Sequence, residues 1–488
     1  MAQPFVEPCS RGVIEAEPCP RELGREIPAR RRRMVLAGCV LASSMAFIDG
    51  SALTVALPKL RAALGADLTS VQWILNGYIL ALASLTLIGG ALADVHGKAR
   101  MLAIGCLLFG AASIGCALAP SAGWLIASRV LQGIAAALLT PASLALIGAT
   151  YPRDERNRAI AVWAAASSLT TAAGPVLGGW LTETFGWQAV FWINPPVAVV
   201  AVGLIWAFAP EDRTEARRFD IAGAAIIAAA LGALAWALSE VGRSASQSAV
   251  SSVPDAAIPI VGGLGLVGLA VYAFWERTTD HPMTPPRLVK NREFLAINVA
   301  TLLVYAGLSI MFFLVPFDLV DGRGLRPTDA GLAFLPFTLG VGLLSRLFGG
   351  LADAIGARTM LALGPIGAAV AYGWMALARS SSLMAGVIGP MALLGISFAV
   401  LVAPLTATVM SSVEPSDEGL ASGINNAASR VAQLAGVAIA AGVGSMAAGY
   451  AIGLAAAAVL SVAGALSIAF VAIPTPVKST DKATPTRP

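Results

Sequence analysis

The sequence has few charged residues. Only 12% of its 488 residues are Asp, Glu, Lys or Arg, whereas 57% are hydrophobic. A typical soluble globular domain carries about 25% charged residues, so this composition excludes an ordinary soluble enzyme. We therefore expect an integral membrane protein whose solvent is the lipid bilayer.

Residues that build metal and catalytic sites are also scarce. The chain has two histidines, His96 and His281, both in polar stretches, and five cysteines without paired spacing. This pattern argues against a metal site and a disulfide framework. No G-x-x-x-x-G-K loop, catalytically spaced intramembrane cluster or soluble domain is evident, which argues against an ATP-driven pump, a membrane-embedded enzyme and a sensor. No cofactor is expected.

Long apolar segments recur along the chain. A bilayer-spanning helix needs about 20 apolar residues, and about fourteen segments reach that length, at 34–57, 71–92, 101–119, 123–150, 158–181, 188–209, 221–239, 256–275, 294–318, 327–351, 359–378, 382–410, 419–445 and 450–473. The pattern predicts an all-α membrane fold with a disordered tail (1–33), a six-helix half (34–209), two extra helices with connectors (210–293), a second six-helix half (294–473) and a C-terminal tail (474–488).

The basic residues are distributed unevenly between the loops. With the N-terminus on the inside, the inner loops and tails hold 23 Lys and Arg residues and the outer loops hold 6. Because basic loops stay in the cytosol, we expect both termini to be cytosolic, in a bacterial cytoplasmic membrane. The net charge of +4 is then a topology signal and gives no reason to expect a nucleic-acid partner.

A polar stretch at 90–100 has a second, partial copy later in the chain. The first copy lies between two apolar segments and contains Gly90, Asp94, Gly97, Lys98 and Arg100. The second copy repeats the Leu-Ala-Asp core and the following Gly 259 residues later. It contains Asp353, Gly356 and Arg358. Such an offset indicates an internal duplication. Two parallel halves with matched loops are one architecture of secondary transporters.

The repeated stretch resembles the loop signature of the major facilitator superfamily, roughly G-x-L-a-D-r-x-G-r-k. Three further stretches, 47–58, 187–196 and 422–430, resemble motifs of its 14-spanner drug:proton antiporter family. The resemblance implies a major facilitator fold with two central extra helices and a gating role for the repeated loops. For the two loop aspartates, a latch between the halves and a merely solvated helix end both remain open.

Asp49 lies inside the first apolar segment. An intramembrane carboxylate costs about 2.5–3.5 kcal/mol on insertion scales and is by default a functional candidate. Arg129 lies at a similar depth in the fourth segment, and its stretch R-V-L-Q-G resembles a helix 4 motif for which a role in proton transfer has been proposed. We predict that the two residues couple transport to protons. The alternatives are an Asp49 permanently paired to fix helix packing and an Arg129 bonded to backbone carbonyls.

Two other groups of residues are candidates for the transport path. In the fifth segment Gly174, Pro175, Gly178 and Gly179 resemble the antiporter signature g-x-x-x-G-P-x-x-G-G, which implies export, although Thr170 replaces its leading Gly. Small residues also allow close helix packing. In the thirteenth segment we expect Asn425, Asn426 and Arg430 as candidates for lining a cavity, with helix packing equally open for Arg430.

Together these observations predict a secondary transporter that exports amphipathic, cationic or neutral drug-like molecules by alternating access. Its partners would be a small-molecule substrate, protons and the bilayer, with the proton gradient as energy source, while accessory export subunits stay open. The alternatives are a dedicated metabolite exporter and a proton-symporting importer. A membrane sensor or enzyme is a remote alternative.

Overall fold

The structure is a computed structural model that describes residues 27–210, 220–245, 256–279, 290–413, 418–444 and 448–469. Over these ranges the chain is helical and contains no strand. In this described part of the chain, thirteen helical segments are long and apolar enough to cross a membrane. One more helix, Ile221–Ala245, has a shorter apolar stretch at Ala225–Leu234. These findings confirm the prediction of an all-α membrane protein with about fourteen spanning helices.

Six spans form the first half of the chain. They comprise α1 (Ala29–Leu64), α2 (Leu68–His96), α3 (Lys98–Ala117), α4 (Ala122–Thr150), α5 (Arg153–Phe185) and a sixth span built from the short α6 (Ala189–Trp192) and α7 (Asn194–Phe208). Two further helices, α8 (Ile221–Ala245) and α9 (Ala257–Thr278), follow and pack against each other.

Six spans also form the second half. They comprise α10 (Arg292–Phe317) with a π-helical turn (Asp318–Gly322), α11 (Pro327–Leu332) with α12 (Leu335–Ile355), α13 (Ala357–Leu377), a π-helical turn (Met384–Ile388) with α14 (Gly389–Ser411), α15 (Glu418–Gly444) and α16 (Gly449–Ala469). We call the end of the bundle where α1 begins the near end, and the opposite end the far end.

Local capping residues define several helix ends. The Asp67 carboxylate accepts a hydrogen bond from the backbone N–H of Ser70 at 2.8 Å, at the start of α2. Asn291 does the same for Glu293 and Phe294 at the start of α10. At the end of α1, Gly65 adopts a left-handed φ of 57°. These caps satisfy backbone groups that a helix terminus leaves without partners.

The two halves pack in the same pattern. In the first half α1 contacts α5 and α7, α2 contacts α4, and α3 contacts α4 and α7. In the second half α10 contacts α15 and α16, α12 contacts α14, and α13 contacts α14 and α16. Helix for helix these are equivalent contacts. α8 contacts α2 of the first half and α15 of the second, so the extra pair lies along one side of the junction between the halves.

The repeated polar stretch forms the same tight connection in both halves. Gly97 alone separates α2 from α3, with φ 98° and ψ 130°. Gly356 alone separates α12 from α13, with φ 93° and ψ 130°. A residue with a side chain adopts this conformation only at a high cost, whereas Gly does so freely. The duplication seen in the sequence is therefore also a duplication of backbone geometry.

The helix boundaries differ from the sequence prediction at the membrane surface. The first helix begins at Ala29 rather than at residue 34, so arginines 30–33 belong to it. The reason is tertiary contact, since Arg31 donates from Nε to the Phe208 carbonyl at 2.8 Å and from Nη2 to the Ala209 carbonyl at 2.9 Å. Most of the predicted N-terminal tail and all of the C-terminal tail lie outside the described residues.

Candidate transport site

Asp49 on α1 and Arg129 on α4 form a buried ion pair. Arg129 donates from Nη1 to Oδ2 of Asp49, and both residues are 0% exposed. The sequence placed them at similar depth, and the structure brings them together. Each charge needs the other, because an isolated ion in a low-dielectric interior carries a large desolvation cost.

Three uncharged polar residues complete the network around Asp49. Gln132 on α4 accepts from Arg129 at 2.6 Å and donates to Oδ1 of Asp49 at 2.9 Å. Asn194 on α7 donates to the same oxygen at 3.4 Å. Both amides also donate to the hydroxyl of Ser113 on α3, at 2.7 Å from Gln132 and 3.0 Å from Asn194. The network therefore joins four helices of the first half.

The remaining contacts of Arg129 hold its guanidinium in place. Its Nε donates to the backbone carbonyl of Ile74 at 3.1 Å. The guanidinium carbon lies 4.3 Å from the ring centroid of Tyr78 and 5.9 Å from that of Phe191. Arg129 thus contacts both a carboxylate and a backbone carbonyl, so the structure contains both of the interactions considered from the sequence. An aromatic face supplies further attraction for a desolvated cation.

A cavity of about 240 Å³ lies between the two halves. The first half contributes residues of α1, α2, α4 and α5, and the second half contributes residues of α10 and α15. Its polar lining residues are Ser51, Thr54, Tyr78, Arg129, Thr140, Thr171, Tyr305, Ser309, Arg430 and Gln433. Arg129 borders this cavity, whereas Asp49 does not line it. The arginine therefore lies between the buried carboxylate and the space available to a substrate.

The three residues singled out on α15 have different surroundings. Arg430 lines the cavity, and its Nη1 donates to Gln433 at 3.3 Å. Asn425 is turned toward α10, where it donates to Asn298 at 3.2 Å and to Thr301 at 2.8 Å. Asn426 is exposed. Neither asparagine belongs to the cavity lining, so of the three candidates the structure places Arg430 alone on the cavity wall.

The antiporter-like stretch of α5 brings backbones into close contact. A Cβ atom at Gly174 would overlap the Ser51 hydroxyl, and one at Gly178 would overlap the Ala52 carbonyl, both on α1. Gly179 lies against the carbonyl of Pro327 on α11, in the other half. The carbonyl of Pro175 lies equally close to Gly331 of α11. These small residues therefore pack α5 within its own half and also across the junction.

Polar contacts reinforce this junction at the far end. Glu183, near the end of α5, forms an ion pair with Arg326 at 3.4 Å and accepts a hydrogen bond from the backbone N–H of Thr328 at 3.2 Å. Arg326 also donates to Asp329 at 2.8 Å. This bond, with the negative charges of Asp329 and Glu183, raises the pKa of Arg326 above its usual value. The structure therefore has its halves in contact at the far end of α5.

The gating-loop residues lie at the near end. Gly90, Asp94 and Asp353 lie in helices, Gly97 and Gly356 form the breaks, and Lys98 begins α3. Arg100 is exposed, and Arg358 donates to the Ala469 carbonyl at the end of α16 at 2.6 Å. The side chains of Asp94 and Asp353 lie outside the described part of the structure. The latch hypothesis therefore stays a prediction.

Sequence reasoning missed three partners of the buried pair. Gln132 and Asn194 lie within stretches that were compared with family motifs, but Ser113 lies in none of them. Single uncharged polar residues are common in membrane helices, so their type alone gives little signal. Their spacing from Asp49 along the chain gives none, because the contacts join different helices.

Two equivalent six-helix halves around a central cavity define a secondary transporter. The family model described as Major Facilitator Superfamily matches residues 39–295 and 297–488. The chain therefore belongs to the major facilitator superfamily, as its motifs implied.

Several curated relatives match most of the chain. The multidrug resistance protein Stp of Mycobacterium tuberculosis is 32% identical over 84% of this chain and 75% of its own length. The lincomycin resistance protein of Streptomyces lincolnensis is 31% identical over 84% of both chains. The cephamycin export protein CmcT of Amycolatopsis lactamdurans is 34% identical over 79% of this chain and 80% of its own. Within the superfamily, the chain is thus similar to drug and antibiotic resistance transporters.

Solved structures share the fold. A crystal structure of the peptide transporter POT in complex with sulfate superimposes with a TM-score of 0.67, at 17% identity over 90% of this chain and 94% of that one. A bacterial homologue of the lysosomal transporter Spinster gives a TM-score of 0.61, at 16% identity over 91% and 95%. At these identities the similarity concerns the fold alone.

Proposed function

We propose that this protein is a proton-coupled exporter of amphipathic, drug-like organic molecules that works by alternating access. The observation that carries the proposal is the buried ion pair of Asp49 and Arg129 beside the cavity between the halves. The resistance and export functions in the names of the relatives support the direction of transport. The family's fold supports the alternating mechanism.

The pair gives a physical route for coupling. A proton on Asp49 removes the negative charge that Arg129 neutralises, while Arg129 keeps its own charge. Breaking a buried pair by removing one partner costs about 3–5 kcal/mol, whereas couplings between sites are typically about 1–3 kcal/mol. Protonation therefore removes more stabilisation from the paired position of Arg129 than such couplings require, which is enough to change the preferred position of Arg129. Because Arg129 borders the cavity, its displacement alters the substrate site directly.

The closed junction supplies the other half of the mechanism. In this conformation α5 and α11 are in contact at the far end through glycines and the Glu183–Arg326 pair. Opening the far end must separate these contacts, while Gly97 and Gly356 link their helices at the near end. With the basic near end in the cytosol of a bacterial cell, substrate would be taken from the cytosolic side or inner leaflet and released outside.

The proposal can be tested with purified protein in proteoliposomes that contain the trapped pH indicator pyranine. The lumen is made acidic, and fluorescein or ethidium is added outside. Wild-type protein should accumulate at least one dye while the lumen loses protons. Asp49→Asn should retain folding and lose the link between dye uptake and proton loss.

A matched control is Asp67→Asn, the same substitution at an exposed helix cap. Asn also caps helices well, so this variant should transport as the wild type does. An Asp49→Asn variant that still links dye uptake to proton loss would show that the ion pair serves only helix packing. In vesicles loaded with dye, loss of dye and protons from the lumen together would identify a symporter, and transport of a single compound would identify a dedicated metabolite carrier.

A further inference from the structure

Arg430 brings an uncompensated positive charge to the cavity. Its hydrogen-bond partner is Gln433, and no carboxylate in the described part of the chain forms an ion pair with it. The titratable groups that act on it electrostatically are Tyr78 and Tyr305, which are neutral phenols at physiological pH. A guanidinium stays protonated in proteins, so this charge persists throughout the transport cycle.

The rest of the lining does not balance it. The lining includes two arginines and no Asp or Glu among the described residues. Asp49 neutralises Arg129, which leaves Arg430 as the excess charge. When a proton neutralises Asp49, the local charge becomes still more positive. A partly desolvated site of this sign favours anions and disfavours cations.

Aromatic side chains surround the same space. Tyr305, Phe312 and Phe313 of α10 line the cavity together with Phe47 and Tyr78 of the first half. Phe312 stacks on Phe334 at 5.4 Å between centroids and meets Phe337 edge-on at 5.7 Å. The aromatic wall is therefore supported from behind. It offers an apolar surface beside Arg430, the one arginine of the described lining that has no carboxylate partner.

We propose that the substrates of this cavity are amphipathic organic anions, in which an aromatic ring system carries a carboxylate, sulfonate or phenolate that pairs with Arg430. The proposal rests on the transport function proposed above and specifies the charge of the substrate. With one of its five N–H groups donated to Gln433, the guanidinium retains donors for a two-pronged contact with a carboxylate. The sequence-based expectation of cationic substrates would require a cation to enter beside Arg430 without an acidic partner.

The alternative is a structural role, in which Arg430 only orders α15 through Gln433. A structural arginine would support binding of anionic and cationic molecules equally. An arginine that recognises the substrate would instead strengthen binding of anionic molecules only. Two dyes with the same xanthene ring system and opposite charge, fluorescein and rhodamine 123, therefore separate the two roles.

The experiment measures equilibrium binding of each dye to the purified full-length protein in lipid nanodiscs, by fluorescence anisotropy and without a proton gradient. Wild-type protein should bind fluorescein at least about 10-fold more tightly than rhodamine 123. Arg430→Gln should weaken fluorescein binding by roughly 10- to 100-fold, as expected for loss of a charged hydrogen bond. Rhodamine 123 binding should stay the same or improve, and Arg430→Lys should recover part of the fluorescein affinity.

Arg277→Gln is the matched control, because this exposed arginine lies at the end of α9, outside the central cavity and away from the contact between α5 and α11. It should leave both affinities unchanged. Wild-type protein that binds rhodamine 123 as tightly as fluorescein, or binds neither dye, would overturn the proposal, and so would an Arg430→Gln variant that weakens both equally. The wild-type comparison needs no variant to fold. Because binding is measured without a gradient, failure of proton coupling at Asp49 would leave this result intact.

Discussion

Gln132 donates its amide to the same carboxylate that Arg129 neutralises, and it meets Asp49 at 2.9 Å. The carboxamide also accepts from Arg129 at 2.6 Å. It therefore contacts both members of the ion pair. A buried ion pair depends on such hydrogen bonds, because they satisfy the remaining polar atoms of both charged groups.

Replacing Gln132 by Leu should therefore loosen the ion pair. The number of protons lost from the lumen per dye molecule taken up should fall, because Arg129 and Asp49 each lose a hydrogen-bond partner. Unsatisfied buried groups should also lower the free energy of unfolding by about 1–3 kcal/mol. Dye uptake and lumenal pH, recorded together in proteoliposomes, measure the first effect. Gln188→Leu, at the far end and outside the network, should leave the ratio of protons to dye unchanged.

Gly97 and Gly356, which separate the helices at the near end, should resist substitution. Gly97→Ala and Gly356→Ala should each destabilise the protein by about 1–3 kcal/mol, because φ values of 98° and 93° strain a residue with a Cβ atom. Thermal unfolding in detergent measures the change. Gly148→Ala in α4 is the control, since open space surrounds that position. A Gly97→Ala variant that is as stable as Gly148→Ala would contradict the backbone geometry.

Closure at the far end should depend on Gly179. A side chain at this position meets the Pro327 carbonyl of the other half, so Gly179→Val should favour the conformation that is open at the far end. A Thr54→Cys reporter in the cavity should then react faster with an impermeant maleimide added to the outside of cells. Gly203→Val, at a position with open space around it, should not change the labelling rate. Equal labelling rates in both variants would contradict a role of α5 in closing this end.

The orientation of the chain can be measured in the same way. Ala62→Cys, exposed in the last turn of α1 at the far end, should react with impermeant maleimide in intact cells. Val95→Cys, 40% exposed at the near end, should react only after the cells are opened. The excess of basic residues in near-end loops is the reason for this expectation. Reversed labelling would place both chain ends outside the cytosol.

The sequence predicted the fold well because membrane helices are encoded by long apolar runs. Those runs located the spans but not the helical turns that extend beyond the apolar segment. The start of α1 at Ala29 is an example, because Arg31 is held there by a carbonyl of α7. The breaks between α6 and α7 and between α11 and α12 were also missed. An apolar run continues through the second break, so hydropathy gives no sign of it. The first break is followed by Pro195 and Pro196, which favour the first turn of a new helix, so hydropathy alone overlooked a signal that the sequence contains.

The candidate site was predictable where charge was involved. Asp49, Arg129 and Arg430 were evident because ionised groups are rare in apolar segments. Asn425 shows the limit of this reasoning, since it lies close to Arg430 in sequence but turns toward Asn298 and Thr301. Which neighbour a neutral side chain faces is decided by packing between helices. That information is absent from the local sequence.

The excess charge of Arg430 bears on the energetics of the whole cycle. If one monovalent anion leaves the cell for each proton that enters, two elementary charges cross the bilayer in the electrically downhill direction. At about 2.3 kcal/mol per charge per 100 mV, the membrane voltage alone contributes about 4.6 kcal/mol for every 100 mV. Export of a monovalent cation by the same exchange would move no net charge. An anion exporter of this kind would keep working in alkaline surroundings, where the pH difference vanishes and only the voltage remains.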